Sequence, residues 1–368
     1  MKSKLILIGS ILCLLIMPKL SSQSLANEVK NLKYIDAGIF TIINKAQKGG
    51  PEFARLDTIK YPELPPIVKQ YYNYSTGLAI TFRTNSKNIA LKWNTEEEEP
   101  SLNTTFILQK GFDLYIKKDN KWVFAGVATP TVGTRHQSPI VENMDESVKT
   151  CLLYLPIFAN INRLELGIDE GSVIEKVENK FRHKIVVIGS SITHGAAASR
   201  PGMAYPAQLN RHLGFEFPNL GACGQCKLDQ YYAKIAADTE ADAFLFDVFS
   251  NPSPKQINER LKNFVDIIQA KHPNTPLIFL QTEVRETGNF NLKARHYEFE
   301  KREAAERGIR DLKKAGYKNL YFINPGIEIG SDHESTVDGV HPTDLGFRIM
   351  LKHLEPQLVK ILNKHGIK

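Results

Sequence analysis

Cysteine and long apolar segments are scarce in this sequence, and both shortages narrow the class of protein. The 368 residues contain four cysteines, which is too few for a disulfide-stabilised scaffold. Cys223 and Cys226 have the spacing of a redox or metal-binding pair, but no further clustered ligands complete a zinc site. We therefore predict neither a bound metal nor a redox function, and a disulfide between these two residues stays open.

Basic segments interleaved with aromatic residues are also missing. The formal net charge is +7, but the lysines and arginines are scattered along the chain. Nucleic-acid-binding surfaces concentrate positive charge, so we expect no nucleic-acid partner. After residue 17 no apolar segment is long enough to cross a bilayer, and we expect no stable membrane insertion.

The N-terminus has the pattern of a signal peptide. Lys2 and Lys4 precede the apolar residues 5–17, and Ser-Leu-Ala at residues 24–26 suits signal peptidase. We predict a signal peptide over residues 1–26 and an exported protein, periplasmic or extracellular.

The hydrophobic pattern up to residue 175 has a period of two, which is typical of strands. Leu78, Ile80 and Phe82 share one face, and the same alternation resumes after the turn at residues 85–88, which predicts an antiparallel hairpin. Further strands are predicted at Thr105–Leu108, Phe112–Ile116, Lys121–Val127, Thr150–Leu155 and Arg163–Gly167. We expect residues 27–175 to form a β-sandwich of jelly-roll type.

Tyr71, Tyr72 and Tyr74 lie in the same half of the sequence. We interpret them as strand-packing residues, with a sugar-binding platform as the alternative.

Strands alternate with helices after a charged linker predicted at residues 176–183. The predicted strands are Lys184–Ile188, Phe215–Asn219, Ala243–Phe249, Pro276–Gln281 and Leu320–Ile323. The predicted helices are Pro254–Ala270, Tyr297–Ala315 and Asp344–Lys364, the last kinked or split at Pro356. Residues 184–368 should therefore form an α/β domain whose parallel sheet is covered on both faces.

Chemically versatile residues follow the strands of this second half. Ser191 follows the first strand and Asn251 the third, while Asp338 and His341 precede the last helix. A serine hydroxyl needs an adjacent base to act as a nucleophile, and His341 can be that base, oriented by Asp338. The backbone N–H groups of Gly224 and Ser191 and the Asn251 amide can stabilise an oxyanion.

These segments together resemble the SGNH (GDSL-type) hydrolases. The resemblance implies a three-layer α/β/α fold of flavodoxin-like type. It makes Ser191 the nucleophile of a catalytic triad with Asp338 and His341, and it assigns Ser191, Gly224 and Asn251 to the oxyanion hole. Residues 111–115 (Gly-Phe-Asp-Leu-Tyr) resemble the G-x-D-L-Y pattern of a β-domain that precedes some exported SGNH esterases.

The sequence departs from the common pattern at one informative place. Most of the superfamily has Gly-Asp-Ser where this chain has Gly189-Ser190-Ser191, so Ser190 is the rival nucleophile. Thr193 and His194 are expected to support the loop. Glu283, Arg285 and Glu286 either touch substrate or form a solvated loop.

The sequence therefore predicts an exported serine esterase that works through an acyl-enzyme, with no metal or organic cofactor. O-deacetylation of carbohydrates is the first choice, by family analogy, with an acylated carbohydrate as the partner. One alternative is an esterase or lipase for non-carbohydrate acyl esters, and the other is a catalytically inactive glycan-binding protein.

Overall fold

The computed structural model of the protein describes residues 32–97, 103–324 and 332–368. The predicted signal peptide lies outside the described residues. No helix in the described ranges is long and apolar enough to cross a membrane. The proposed limits of the two domains stay predictions.

Ten strands of the described N-terminal half form two antiparallel sheets. The strands are β1 (Leu32–Asp36), β2 (Thr41–Ile43), β3 (Ala79–Thr84), β4 (Ile89–Thr95), β5 (Phe112–Lys118), β6 (Lys121–Ala128), β7 (Arg135–Val141), β8 (Lys149–Tyr154), β9 (Ile161–Asp169) and β10 (Ile174–Lys176). One sheet has the order β1-β9-β4-β7, and the other has the order β10-β3-β8-β5-β6 with β2 paired to β3. Phe82 and Leu153 from one sheet and Leu91 and Leu164 from the other share one buried core, so the predicted β-sandwich is confirmed.

The predicted hairpin between the strands that contain Phe82 and Leu91 is wrong. β3 and β4 lie in different sheets and face each other across the sandwich core. The connection between them is a corner held by the Asp169 carboxylate, which accepts from the Ser86 hydroxyl at 2.7 Å and the Asn88 N–H at 2.9 Å. Alternation predicts which side chains are buried, but it does not determine which strand pairs with which.

One segment of this half that we predicted as a strand is helical, and the tyrosine-rich segment is helical as well. Thr105–Leu108 corresponds to α2 (Phe106–Lys110), because Thr105 caps the helix by accepting from the Leu108 N–H at 3.0 Å. The tyrosine-rich segment forms α1 (Pro66–Asn73), with Pro66 in the first turn. Short apolar runs are compatible with either conformation, and capping decides between them here.

The C-terminal half contains a five-stranded parallel sheet. Its strands are β11 (Ile185–Gly189), β12 (Asn219–Gly221), β13 (Ala243–Asp247), β14 (Leu277–Leu280) and β15 (Leu320–Ile323), and they lie in the order β12-β11-β13-β14-β15. Its helices are α3 (Ser191–His194), α4 (Tyr205–Leu213), α5 (Gln230–Ala237), α6 (Pro254–Gln269), α7 (Leu292–Lys314) and α8 (Asp344–Lys364). Residues of α5, α6 and α7 pack on one face and residues of α4 and α8 on the other, which confirms the three-layer flavodoxin-like arrangement.

Two details of this half differ from the prediction. The second strand begins at Asn219 rather than Phe215, because Pro218 has no N–H for the ladder and the Phe217 N–H donates to Asn44 Oδ1 at 2.9 Å instead. The last helix runs through Pro356 as a single element, which excludes the predicted split, while the kink at Pro356 stays a prediction.

The G-x-D-L-Y segment lies between the two halves. The buried carboxylate of Asp113 accepts from the Gly202 N–H at 2.8 Å and forms an ion pair with Arg200 at 3.1 Å. The Arg211 guanidinium lies over the Tyr115 ring, 4.0 Å from the ring centre.

A second contact between the halves involves Arg55. Its buried guanidinium donates to the carbonyls of Asn219 and Gly221 at 2.8 and 2.9 Å. The two halves are therefore joined by the buried charged groups Asp113 and Arg55.

Candidate active site

Ser191 lies at the carboxyl end of the parallel strand β11, as the first residue of α3. Ser190 caps this short helix, since its hydroxyl accepts from the Ile192 N–H at 3.1 Å. A Cβ on Gly189 would lie 2.1 Å from Thr193 Oγ1, so only glycine allows the chain to turn this tightly. The turn presents the Ser191 side chain, 7% exposed, to the cleft described below.

Asp338 and His341 come from the loop before α8. The Asp338 Oδ1 atom accepts from the backbone N–H groups of His341 at 2.9 Å and Val340 at 3.1 Å, which closes a tight local turn. Asp338 Oδ2 lies 2.7 Å from His341 Nδ1, and His341 Nε2 lies 2.9 Å from Ser191 Oγ. A hydroxyl, an imidazole and a carboxylate thus form one hydrogen-bonded row.

The carboxylate of this row is ionised at every pH at which the protein would be assayed. Burial opposes its ionisation, but hydrogen bonds from the His341 backbone and side chain and from Asn103 outweigh that effect and lower the pKa of Asp338 to about 2. An anionic Asp338 holds the proton on His341 Nδ1 and leaves Nε2 free to accept the serine proton.

Gly224 and Asn251 line the same cleft as Ser191. Gly224 has a φ of 68°, the left-handed region that favours glycine. A Cβ there would meet no atom of the described residues within 4 Å, so backbone conformation rather than crowding explains the glycine. The Asn251 Oδ1 atom is buried with no hydrogen-bond partner among the described residues.

The loop that carries Asn251 is fastened by two cations. The Ser250 carbonyl accepts from Arg285 Nη2 at 2.7 Å and from Lys301 Nζ at 3.1 Å. Glu298 balances this charge, with Oε1 3.3 Å from Arg285 and Oε2 2.5 Å from Lys301. Arg285 also lines the cleft, which favours contact with substrate over a place in a solvated loop. Glu286 Oε2 instead lies 2.9 Å from Nδ1 of the exposed His333.

Replacement of Asn251 with alanine tests its contribution to the oxyanion hole. If its amide stabilises the developing negative charge, kcat for an acetyl ester should fall about 10²–10³-fold with little change in KM. Steady-state kinetics on purified protein would measure this. An unchanged kcat would remove Asn251 from the oxyanion hole.

A buried polar network supports the turn from behind. Thr193 Oγ1 donates to Asp247 Oδ2 at 2.8 Å and lies 2.9 Å from the Tyr205 hydroxyl. Burial raises the pKa of Asp247 to about 7, against the hydrogen bonds from Thr193 and Ser190. Burial, together with the Asp247 charge, raises the pKa of Glu283 to about 8. Glu283 is therefore part of the interior and not of a solvated loop.

The Glu283 carboxyl should make the stability of the protein depend on pH. An unfolded glutamate has a pKa near 4.3, so with a raised folded value its stabilising contribution is full below about pH 4 and is lost as the pH rises through about 8. We expect Glu283→Gln to raise the melting temperature by about 2 °C or more at pH 8.5 and to change it much less at pH 5. The control is the melting temperature of Glu259→Gln, a change at an exposed glutamate, at the same two pH values. An equal effect of Glu283→Gln at both pH values would contradict the prediction.

His194 lies behind the cleft and connects the two halves. Its Nε2 is 3.1 Å from the Ile157 carbonyl oxygen and its Nδ1 is 3.4 Å from Cys223 Sγ. The ring stacks on Phe158 at 4.6 Å between centres. Burial and then Arg55 lower the pKa of His194 well below its usual range, so it is neutral and supports the wall of the cleft. Cys223 and Cys226 are free thiols in the structure.

The cleft has a volume of about 820 Å³ and is shared by the two halves. The N-terminal half supplies Ile67, Gln70, Tyr71, Tyr74, Glu97, Asn103, Gln109 and Phe158. The C-terminal half supplies Ser191, Ala196, Cys223, Gly224, Asn251, Arg285, Val340 and His341. Tyr71 and Tyr74 thus line the cleft, whereas Tyr72 is buried in the core that includes residues of the parallel strands, as the packing interpretation expects for Tyr72.

Asn103, Gln109 and Phe158 are cleft residues that the sequence analysis missed, because no motif surrounds them. Among the described residues no group of His, Cys, Asp and Glu side chains is arranged to hold a metal ion.

Two family models match the sequence. A model of the GDSL-like lipase/acylhydrolase family matches residues 182–359, and a model of the N-terminus of SGNH-hydrolase-type esterases, named GxDLY, matches residues 22–174. The search of curated proteins finds no match.

Solved structures resemble the chain over most of its length. A GDSL-like lipase from Bacteroides ovatus is 48% identical, with a TM-score of 0.88 over 90% of this chain and 98% of that one. The acetyl xylan esterase Est2A from the rumen bacterium Butyrivibrio proteoclasticus is 13% identical, with a TM-score of 0.58 over 92% of this chain and 100% of that one. A family two carbohydrate esterase from Cellvibrio japonicus is 11% identical, with a TM-score of 0.59 over 90% of this chain and 98% of that one.

The last two similarities show a common fold and no more. The similarity to the Bacteroides ovatus protein shows more than a common fold, since nearly half of the aligned residues are identical and the alignment extends through both halves. On that basis, and with both family models matched, the chain belongs to the SGNH (GDSL-type) hydrolase family, in the group whose hydrolase half follows a GxDLY domain.

Proposed function

We propose that this protein is a serine esterase that removes acetyl groups from O-acetylated carbohydrates. The observation that carries the proposal is the position of Ser191 Oγ, 2.9 Å from His341 Nε2, in a cleft whose wall includes Tyr71, Tyr74 and Phe158. The hydrogen-bonded row supports acyl transfer, and the wall supports a sugar as the group that bears the ester.

The reaction would run in two balanced halves. Ser191 Oγ attacks the ester carbonyl carbon and passes its proton to His341 Nε2, while the N–H groups of Ser191 and Gly224 and the Asn251 amide stabilise the oxyanion. His341 then gives the proton to the departing sugar oxygen, and an acetyl-enzyme remains. Water loses one proton to His341 as it attacks the acetyl carbon, and the bond between that carbon and Ser191 Oγ then breaks as His341 returns the proton to Ser191. Acetic acid is released and loses its remaining proton to solvent as acetate.

Asp338 keeps its negative charge throughout this cycle. It stabilises the imidazolium that forms twice and holds the imidazole in the tautomer with the proton on Nδ1. The hydrogen bond of 2.7 Å between the two groups supports this role.

The substrate class rests on the wall of the cleft. Tyr71, Tyr74 and Phe158 line the cleft with aromatic rings, and Gln70 and Gln109 line it with amides. Aromatic rings beside a few directed polar groups suit a sugar ring, which has apolar faces and a polar periphery. The two carbohydrate esterases of similar fold add support by analogy only.

Acetate release from a panel of acetylated polysaccharides and sialosides tests the proposal. A parallel series of nitrophenyl esters from acetyl to long-chain acyl distinguishes it from the non-carbohydrate alternative. We expect the highest kcat/KM with the acetyl ester, and activity that peaks at long acyl chains would overturn the acetyl preference. Glycan binding without ester cleavage, and without uptake of a serine-directed phosphonate, would instead support an inactive binding protein.

We also propose that the protein is exported, on the pattern of residues 1–26. Sequencing of the mature N-terminus after expression in a Gram-negative host tests this. Processing near Ala26 is expected, and retention of Met1 in the cytoplasmic fraction would contradict it.

A further inference from the structure

One side chain of the N-terminal half reaches the carboxylate of the Ser191–His341–Asp338 row. Asn103 Nδ2 donates to Asp338 Oδ2 at 3.0 Å and lies 3.5 Å from His341 Nδ1. Asp338 Oδ2 therefore has two partners, the His341 imidazole and the Asn103 amide, whereas Oδ1 is satisfied by the backbone of its own loop.

The segment that carries Asn103 is fastened to the loop that carries His341. Thr105, which caps α2, also donates to the Ser199 carbonyl at 2.6 Å. Ser199 in turn donates from its N–H and its hydroxyl to the two carboxylate oxygens of Asp344, at 2.8 and 2.5 Å. Asp344 is the first residue of α8 and follows His341 by three positions. A chain of short polar contacts thus sets the distance between Asn103 and Asp338.

Geometry gives the Asn103 amide a specific consequence. Rotation of the Asp338 carboxylate about the bond between Cβ and Cγ would move Oδ2 away from the imidazole, and within its own loop the two backbone N–H groups bonded to Oδ1 oppose that rotation. A second donor on Oδ2, supplied by a separate part of the fold, restricts that rotation and keeps the carboxylate in line with His341 Nδ1.

We propose that Asn103 is a positioning residue, through which the N-terminal half orients the Asp338 carboxylate and hence the His341 base. The inference rests on the esterase function proposed above and extends it. It makes the GxDLY half part of the catalytic apparatus and not only a wall of the substrate cleft. Asn103 does not act on the substrate directly in this proposal, since its effect passes through Asp338.

The first test compares Asn103→Ala with the parent enzyme in hydrolysis of nitrophenyl acetate. The loss of one hydrogen bond to a charged group should lower kcat about tenfold and change KM less than about twofold. Asn258→Ala is the matched control. It removes an exposed amide that accepts from Arg307 at 3.2 Å, does not line the cleft, and should leave kcat unchanged.

A double-mutant cycle separates positioning from general damage. In an Asp338→Ala background the carboxylate is absent, so adding Asn103→Ala should cost less than about twofold. A further tenfold loss in that background would show that Asn103 acts by another route and would overturn the proposal. Melting temperatures of all variants check that the fold is retained.

Asn103→Asp gives a readout that simple loss of structure would not produce. A second carboxylate beside His341 stabilises the imidazolium, so the acid limb of the pH profile of kcat/KM should move to higher pH by about half a unit or more. The other titratable or charged groups that line the cleft are Glu97, Arg285, Cys223, Tyr71 and Tyr74, and they are the same in both proteins. An acid limb at the parent position would contradict the inference.

The outcomes also separate this inference from the proposed function. A parent enzyme that cleaves no ester and takes up no phosphonate would overturn the function and the inference together. An active parent whose Asn103→Ala and Asn103→Asp variants behave like Asn258→Ala would overturn the inference alone.

Discussion

Replacement of Ser191 with alanine is expected to abolish ester hydrolysis and to leave the fold intact. The hydroxyl is the only group in the row that can form the acyl-enzyme, and its loss in comparable triads lowers kcat by about 10⁶-fold. The side chain is small and faces the cleft, so its removal creates no sizeable cavity in the core. Nitrophenyl acetate turnover, with circular dichroism and melting temperature, measures both parts of the prediction.

Ser190→Ala is the matched control, because Ser190 is the adjacent hydroxyl and the rival nucleophile. Ser190 is fully buried, and its hydroxyl caps α3 and bonds to Asp247. We expect this variant to lose about 1 kcal/mol of stability, to keep measurable turnover and to keep phosphonate labelling. A Ser191→Ala enzyme that works at the full rate would refute the assignment of the nucleophile.

Replacement of His341 with alanine should be nearly as damaging as loss of Ser191. Without the imidazole no group accepts the serine proton, and in comparable triads the loss of the base costs about as much as the loss of the nucleophile. Asp338→Asn should cost less, about 10⁴-fold, because the base survives in a less favourable tautomer. Burst-phase and steady-state kinetics on the three variants would give the expected order.

An exposed histidine provides the control for this second prediction. His212 forms an ion pair with Glu355 at 2.9 Å and lies outside the cleft, so His212→Ala should retain full activity. If Asp338→Asn were more damaging than His341→Ala, the proposed division of roles would be incorrect.

Much of the candidate site could be predicted because its members follow local patterns. Ser191 follows an apolar strand and lies between Gly189 and Gly195. Asp338 and His341 are three positions apart and precede an amphipathic helix. Parallel strands bring their carboxyl ends to one edge, so residues that are distant in sequence could be expected to meet. The structure places Ser191 and Asp338 each within hydrogen-bonding distance of the His341 ring, one at either nitrogen.

Asn103 and Phe158 could not be predicted, because nothing in their neighbourhood distinguishes them from surface or core residues. Their importance depends on how the sandwich packs against the parallel sheet. The hairpin failed for a related reason. Leu78 to Phe82 and Ile89 to Trp93 alternate correctly, yet the Asp169 carboxylate turns the connection into a corner between sheets.

The sequence by itself determined the order of a β-sandwich and an α/β domain, together with the residue types at the ends of the parallel strands. Those features depend on the periodicity of neighbouring side chains and on turn and cap residues, which are local properties. Tertiary structure alone decided which strands pair, which tyrosines line the cleft, and that an amide from the first half contacts the carboxylate of the second. These depend on contacts between residues that are distant in sequence, 235 positions for Asn103 and Asp338, and no local pattern encodes the distance at which such residues meet.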